Sequence, residues 1–208
     1  MPERETPRAK FERIIHRERT TQRLLQQLPP ETSHRYLVME LPLNKLRYLL
    51  SKKDELLGRS HPSVTDVVHV RRYDPEKYPE DPQTFADLFN LVLMTSPDPY
   101  RPLTVEEAFT YFKQGTFLAF LYGKPAGYGV VTIEDTPEGR IGVIAGIGVH
   151  PKHRRKKVAL TIAASIGEWF EERGDLLKLQ CEVYERNHTS QAFISSLGFE
   201  VVGEMHLN

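Results

Sequence analysis

The chain has 208 residues, 39% of them hydrophobic and 27% charged, with 28 basic against 28 acidic side chains. That composition belongs to an ordinary soluble protein with room for a full core, and the charge balance removes any global argument for a nucleic-acid or membrane ligand. No stretch approaches the roughly 20 apolar residues of a membrane helix. The N-terminus lacks a signal peptide's apolar segment, and the single Cys181 forbids an internal disulfide, so the expected compartment is the cytoplasm.

Residues 1–60 differ from the rest. Glu12 to Gln27 is dense in Arg, Glu and Gln, with Phe11, Ile14 and Ile15 early and Leu24, Leu25 and Leu28 late, roughly on one helical face. Pro29 and Pro30 end it. Tyr36 to Leu41 reads as a short strand. Asn44 is the expected cap of a helix carrying Leu46, Leu49, Leu50, Leu56 and Leu57, closed by Gly58. The segment is net basic, which suits either an arm for nucleic acid or an acidic partner, or a helical extension packed on the main domain or on a second subunit. Acids interspersed with the bases favour the packed extension. Gly58 to Asp66 has linker composition, which divides the chain into an extension over 1–60 and a main domain over 61–208.

Strands and helices then alternate. Val67 to Tyr73 is a strand, followed by the proline-rich exit Asp74 to Pro82. Thr84 to Met94 is helical, with Phe85, Leu88, Phe89 and Val92 on one face. Thr95 to Pro102 is a loop. Thr104 and Glu107 fit a capping box for a helix through Lys113, which Gly115 ends. Thr116 to Tyr122 and Ala126 to Ile133 form a hairpin, and Glu134 to Arg140 a polar turn. Val158 to Glu172 is a long helix ended by Gly174. Leu176 to Tyr184 is a strand, Ser190 to Leu197 a short helix, and Phe199 to Met205 a closing strand.

The chain is organised around the junction before that long helix. Ile141 to Val149 is an apolar, glycine-containing run that reads as a strand buried on both faces. Pro151 stops it, the cations Arg154, Arg155, Lys156 and Lys157 follow, and the helix opens at Val158. First-turn N–H groups have no intrahelical partner and the dipole's positive end points the same way, so a basic turn feeding a helix is a receptor for phosphate. A solvated basic turn or a nucleic-acid patch would carry the same residues.

Val149-x-Pro151-x-x-Arg154-x-x-Lys157-x-Ala159 resembles the signature of the GNAT superfamily of N-acetyltransferases, in which an Arg/Gln-x-x-Gly-x-Gly/Ala turn holds the pyrophosphate of acetyl-coenzyme A. Lys157 stands in place of the middle glycine, and Arg155 fills a position that is often glycine too. A lysine there either adds charge or crowds the cofactor. Further on, Glu182-Val183-x-x-x-Asn187 and then Phe193-x-x-x-Leu197-Gly198-Phe199 resemble the family's closing motif, whose asparagine contacts the cofactor. The element order over residues 67–205 matches as well. The family usually has one more strand at the end, a missing edge that Tyr36 to Leu41 or a partner subunit could supply.

The resemblance implies an α/β fold with a mixed, mostly antiparallel central sheet flanked by helices, preceded here by the helical N-terminal extension. It implies an N-acetyltransferase that moves acetyl from acetyl-CoA to a primary amine of a small molecule or protein. The cofactor would meet Ile147, Gly148 and Val149 along its pantetheine arm, Arg154, Arg155, Lys156, Lys157, Val158 and Ala159 at its pyrophosphate, and Asn187. The acceptor would meet the loop Thr95 to Pro102 and the first two helices of the domain. Deprotonating a lysine-like amine at neutral pH costs about 4.6 kcal/mol from its reference pKa, so a base is useful. Glu182 occupies the family position for one, with a solvent-facing strand carboxylate as its alternative; Glu134 and His150 are weaker candidates. The family's usual acid, a tyrosine seven residues after the asparagine, is Ile194 here, leaving Tyr184, Ser195 or water. The rival readings are a catalytically silent acyl-CoA-binding or regulatory module and, more distantly, a nucleic-acid-binding protein. No metal is expected, since His150-x-x-His153 is too short for one helical face and has no cysteine pair nearby. Cys181 reads as core, no membrane partner is implied, and a homodimer through the extension or the sheet edge is open.

Overall fold

The computed structural model describes Phe11, Ile14 and residues 34–58, 68–112 and 115–207. The elements in order are β1 (His34–Pro42), α1 (Leu43–Ser51), α2 (Lys53–Leu57), β2 (Val68–Arg72), α3 (Asp81–Met94), α4 (Val105–Tyr111), β3 (Thr116–Leu121), β4 (Lys124–Thr136), β5 (Gly139–Val149), α5 (Val158–Glu171), β6 (Leu176–Tyr184), α6 (His188–Ser196) and β7 (Glu200–Leu207). The strands make one sheet in the order β2-β3-β4-β5-β6-β1-β7. Every neighbouring pair is antiparallel except β5 and β6. The expected mixed, mostly antiparallel sheet flanked by helices is therefore present.

The N-terminal strand does not sit at an edge, as the sequence suggested. It lies inside the sheet, with Tyr36 opposite Tyr184 of β6 on one side and Met205 of β7 on the other. Pairing on both sides satisfies its backbone polar groups, and it buries Tyr36, Met39 and Leu41. The last strand becomes the edge instead, with Val201 and Val202 exposed.

Each sheet face carries its own core. On one face α1 and α5 bring Leu46, Ile162, Ile166 and Phe170 against Met39, Leu41, Ile144 and Cys181. On the other, α3 and α4 bring Phe85, Phe89 and Ala108 against Leu118, Tyr128 and Val130, and Phe11 and Ile14 are buried among them. Of the expected helix over 12–27, only Ile14 falls within the described residues; most of the expected linker over 58–66 also lies outside them.

Several boundaries differ for local reasons. The expected single helix over 44–57 is two, broken at Lys52, and its first segment starts after Pro42 without a side-chain cap. Asn44 Oδ1 accepts from the next amide, Lys45, at 2.8 Å, so it cannot cap a helix that has already begun. α3 opens at Asp81 with Pro82 in its first turn, where a missing N–H costs nothing, so residues read as an exit turn are helix. The polar stretch after Ile133 continues as strand to Thr136, turning only at Pro137 and Glu138. Thr104 and Glu107 do form the capping box. Among the described residues no helix is long and apolar enough to cross a membrane.

Candidate functional site

β5 and β6 pair only as far as Ile144 opposite Cys181. Beyond that point Gly146 to Val149 and Glu182 to Tyr184 pair with their outer neighbours, β4 and β1, and a gap opens between them. One extra residue, Ala145, sits between the Val131–Ile144 and Val130–Gly146 pairs. Such a bulge bends its strand, and this one lies where the two strands part. Glycines line the same stretch because rings press on it. A Cβ on Gly148 would fall 2.3 Å from the Tyr128 ring, and one on Gly146 would fall 2.6 Å from Phe11.

At the mouth of the gap the chain turns through Pro151–His153 into α5. His150 closes the strand, its Nδ1 accepting from the Lys152 amide at 3.1 Å. Burial, and then the charge of His150, hold the His153 imidazole below its ordinary pKa. The turn itself is left-handed at Arg155 (φ 65°) and Lys157 (φ 59°), the two positions where the family signature has or often has glycine. The glycine backbone is kept with long side chains on it, at a cost of roughly 1–2 kcal/mol each. α5 begins without a side-chain cap, so its first-turn N–H groups are offered outward, with Arg154, Arg155 and Lys156 exposed around them.

The Lys157 side chain is engaged away from that turn. Its Nζ donates to the Leu57 carbonyl at 2.9 Å, at the end of α2. Arg155 is exposed, and its side chain makes no such bond among the described residues. Replacing it with glycine is expected to raise stability by up to about 1 kcal/mol, the left-handed strain relieved less the extra entropy of an unfolded glycine; a shift in the urea midpoint measures it.

On the far side of the gap, Asn187 caps α6 by accepting from the Ser190 amide at 3.1 Å. Its Nδ2 donates to Asp98 Oδ2 at 2.5 Å and to Ser96 Oγ at 3.3 Å. Arg154 meanwhile donates to Thr95 Oγ1 at 2.9 Å. The loop leaving α3 is thus tied to both halves of the resemblance, the basic turn and the closing asparagine. Strand alternation puts Gln180, Glu182 and Tyr184 on the opposite sheet face from Cys181 and Val183, which are in the core. Glu182 is half-buried and accepts from Gln180 Nε2 at 3.0 Å. Tyr184 is buried beside Tyr36, their ring centroids 5.3 Å apart. Burial, then the charge of Asp98, raise the Tyr36 and Tyr128 hydroxyls well above the usual phenol range.

The structure therefore brings Ile147, Gly148, Val149, Arg154 and Asn187 around one opening. Val158 is buried in the core and Ala159 is half-buried, so these two contribute backbone only. Ile194 is buried in the core and has no chemistry to offer. Cys181 is buried too, its thiol pushed up to about 12. Among the described residues no group of His, Cys, Asp or Glu is arranged to hold a metal ion. Sequence reasoning missed Thr95, Ser96, Asp98, Tyr36 and Tyr128. The one available signal was an aspartate between two prolines, in a loop already expected to face the acceptor.

Residues 85–199 match the profile of the Acetyltransferase (GNAT) family. No curated protein matches the sequence. Among solved structures, the aminoglycoside N-acetyltransferase AAC(6')-Iy in complex with CoA superposes with a TM-score of 0.54 at 17% identity, over 69% of this chain and 94% of that one. A GNAT-family acetyltransferase from Streptococcus pneumoniae gives 0.55 at 21% identity, over 68% of this chain and all (100%) of that one. A GCN5-related N-acetyltransferase from Sphaerobacter thermophilus gives 0.54 at 14% identity, over 93% of this chain and 56% of that one.

Proposed function

Because the chain belongs to the acetyltransferase (GNAT) family, we propose that it transfers acetyl from acetyl-coenzyme A to a primary amine of a small molecule or protein. The observation that carries this reading is the backbone of the basic turn. Left-handed residues at 155 and 157 lead into an uncapped helix beside two strands that part. Two long side chains in a strained conformation are hard to account for unless the backbone they carry has a use.

In this reading the first-turn N–H groups of α5, with Arg154, Arg155 and Lys156, hold the diphosphate. The unpaired edge of Ile147 to Val149 receives the pantetheine arm as a further strand would, and Asn187 meets it from the other side. The bound thioester supplies an activated acyl carbon: a C–N bond forms, the C–S bond breaks, the thiolate takes one proton and a second leaves for solvent. Holding the two reactants together contributes most, about 7–11 kcal/mol in favourable cases. Glu182 takes the amine's proton, directly or through water. Since Ile194 cannot serve as the acid, the proton for the thiolate comes from Tyr184, Ser195 or water. Aminoglycoside acetyltransferases among the structural neighbours, one with a CoA-linked neamine analogue, fit an amine acceptor.

Calorimetric titration with acetyl-CoA tests the cofactor, and CoA release over a panel of amines tests the chemistry. The Glu182→Gln variant is expected to lose about 10²–10⁴-fold in turnover while acetyl-CoA affinity stays within threefold. Turnover at the parent rate would remove Glu182 as the base. The core position of Ile194 also suits a module that binds acyl-CoA silently. Tight cofactor binding with no turnover of any amine would establish that reading instead.

A further inference from the structure

We propose that the Asp98 carboxylate is the seat for the acceptor's charged end, so that the substrate class is a primary alkylammonium and not a neutral amine. This rests on the transferase reading and adds the residue that selects the acceptor.

The geometry places Asp98 where an acceptor has to arrive. It stands on the loop between α3 and α4, half-buried, and its Oδ2 takes the Asn187 Nδ2 bond at 2.5 Å. It thus lies directly beside the gap between β5 and β6. The loop's near end is held by Thr95 on Arg154, and Pro97 and Pro99 fix the backbone on either side of Asp98. Asn187 and Ser96 both engage Oδ2, whereas Oδ1 receives no hydrogen bond among the described residues. An ionised carboxylate has about four acceptor positions, so this half-buried one has capacity left. Its charge reaches the Tyr36 and Tyr128 hydroxyls.

A purely structural role makes a different demand. Holding Asn187 needs only an acceptor oxygen, which an asparagine also has; attracting an ammonium needs the charge. The test therefore uses Asp98→Asn, which keeps shape and one acceptor, with Asp98→Glu as the variant that keeps charge. For cadaverine and spermidine, KM in Asp98→Asn is expected to rise about 10- to 100-fold, the loss of a charge-assisted contact. Aniline, uncharged at pH 7.5, should change by less than about threefold, because no such contact is lost. Asp98→Glu should recover part of the cadaverine KM. Independently of turnover, calorimetry of cadaverine into protein saturated with CoA should show binding to the parent and none to Asp98→Asn, while the Kd for CoA is common to both. Equal losses for cadaverine and aniline would overturn the proposal. So would a CoA affinity that falls along with amine affinity, which would make Asp98 a brace for Asn187, or cadaverine that binds parent and variant alike or neither. A parent protein that fails to bind CoA would instead remove the transferase reading on which the proposal stands.

Discussion

Replacing Arg71 with leucine is expected to destabilise the protein by about 3–5 kcal/mol, because it strands a buried carboxylate. Arg71 on β2 grips Asp81 with both terminal nitrogens, Nη1 to Oδ2 at 2.7 Å and Nη2 to Oδ1 at 2.6 Å. The Asp81 side chain is 0% exposed. Without the guanidinium, the hydrogen bond left to it among the described residues is from the Asp74 amide at 2.8 Å, too little for a charge removed from water. Lysine would not substitute, since a point charge cannot make the two-pronged contact. Nor would it stack like the guanidinium, which lies 3.7 Å above the centre of the Tyr78 ring. Changing both partners, Arg71→Met with Asp81→Leu, should recover most of the loss, because the cost lies in the unpaired charge. Urea midpoints of the two single variants and the double variant measure this. If Arg71→Leu costs less than about 1 kcal/mol, in the range of an exposed pair, Asp81 is reached by water. The pair also bears on the site, for Asp81 opens the helix whose other end carries Thr95, Ser96 and Asp98.

The parts of this molecule that were legible in sequence are those whose cause is local. From Ile141 to Val158 a buried apolar run, a proline stop and a switch to helical spacing follow one another within a few residues, and the structure has that strand, turn and helix. The capping box at Thr104 is likewise four residues deciding their own conformation. What stayed hidden depends on partners far along the chain. The pattern of Tyr36 to Leu41 says strand, but nothing in it says that β6 and β7 will leave a place between them. Asp98 and Asn187 are 89 positions apart, and the bond between them defines how the loop meets the site. Lys157 looked like a ligand for phosphate because its neighbours in sequence are cations. Its neighbour in space is a carbonyl 100 residues earlier, and that contact gives the side chain a different use. Local rules therefore recovered the strand, turn and helix, while the contacts that bring the loop after α3 against them needed the fold.

Reversing two charges at the turn, Arg154→Glu together with Lys156→Glu, is expected to weaken acetyl-CoA binding by about 100-fold or more. Each reversal counts twice, since an attraction to the diphosphate is lost and a repulsion takes its place. A charge-assisted bond contributes about 1.5–3 kcal/mol and a looser surface contact about 0.3–1, so the pair together reaches about 3 kcal/mol. Folding should respond in the opposite direction. Both side chains are exposed, neither forms an ion pair among the described residues, and Arg154 gives up only its bond to the Thr95 hydroxyl. Cations at the start of α5 oppose the helix dipole, and acids there suit it, so the double variant should unfold at an equal or slightly higher temperature. Lys157→Met provides the contrast. Its ammonium is already held by the Leu57 carbonyl, so it should cost little affinity, within about threefold, and some stability instead. Calorimetry at low and high salt completes the test, because the parent's affinity should fall with ionic strength and the double variant's should not. If the double variant binds acetyl-CoA within threefold of the parent, the diphosphate does not lie on this turn.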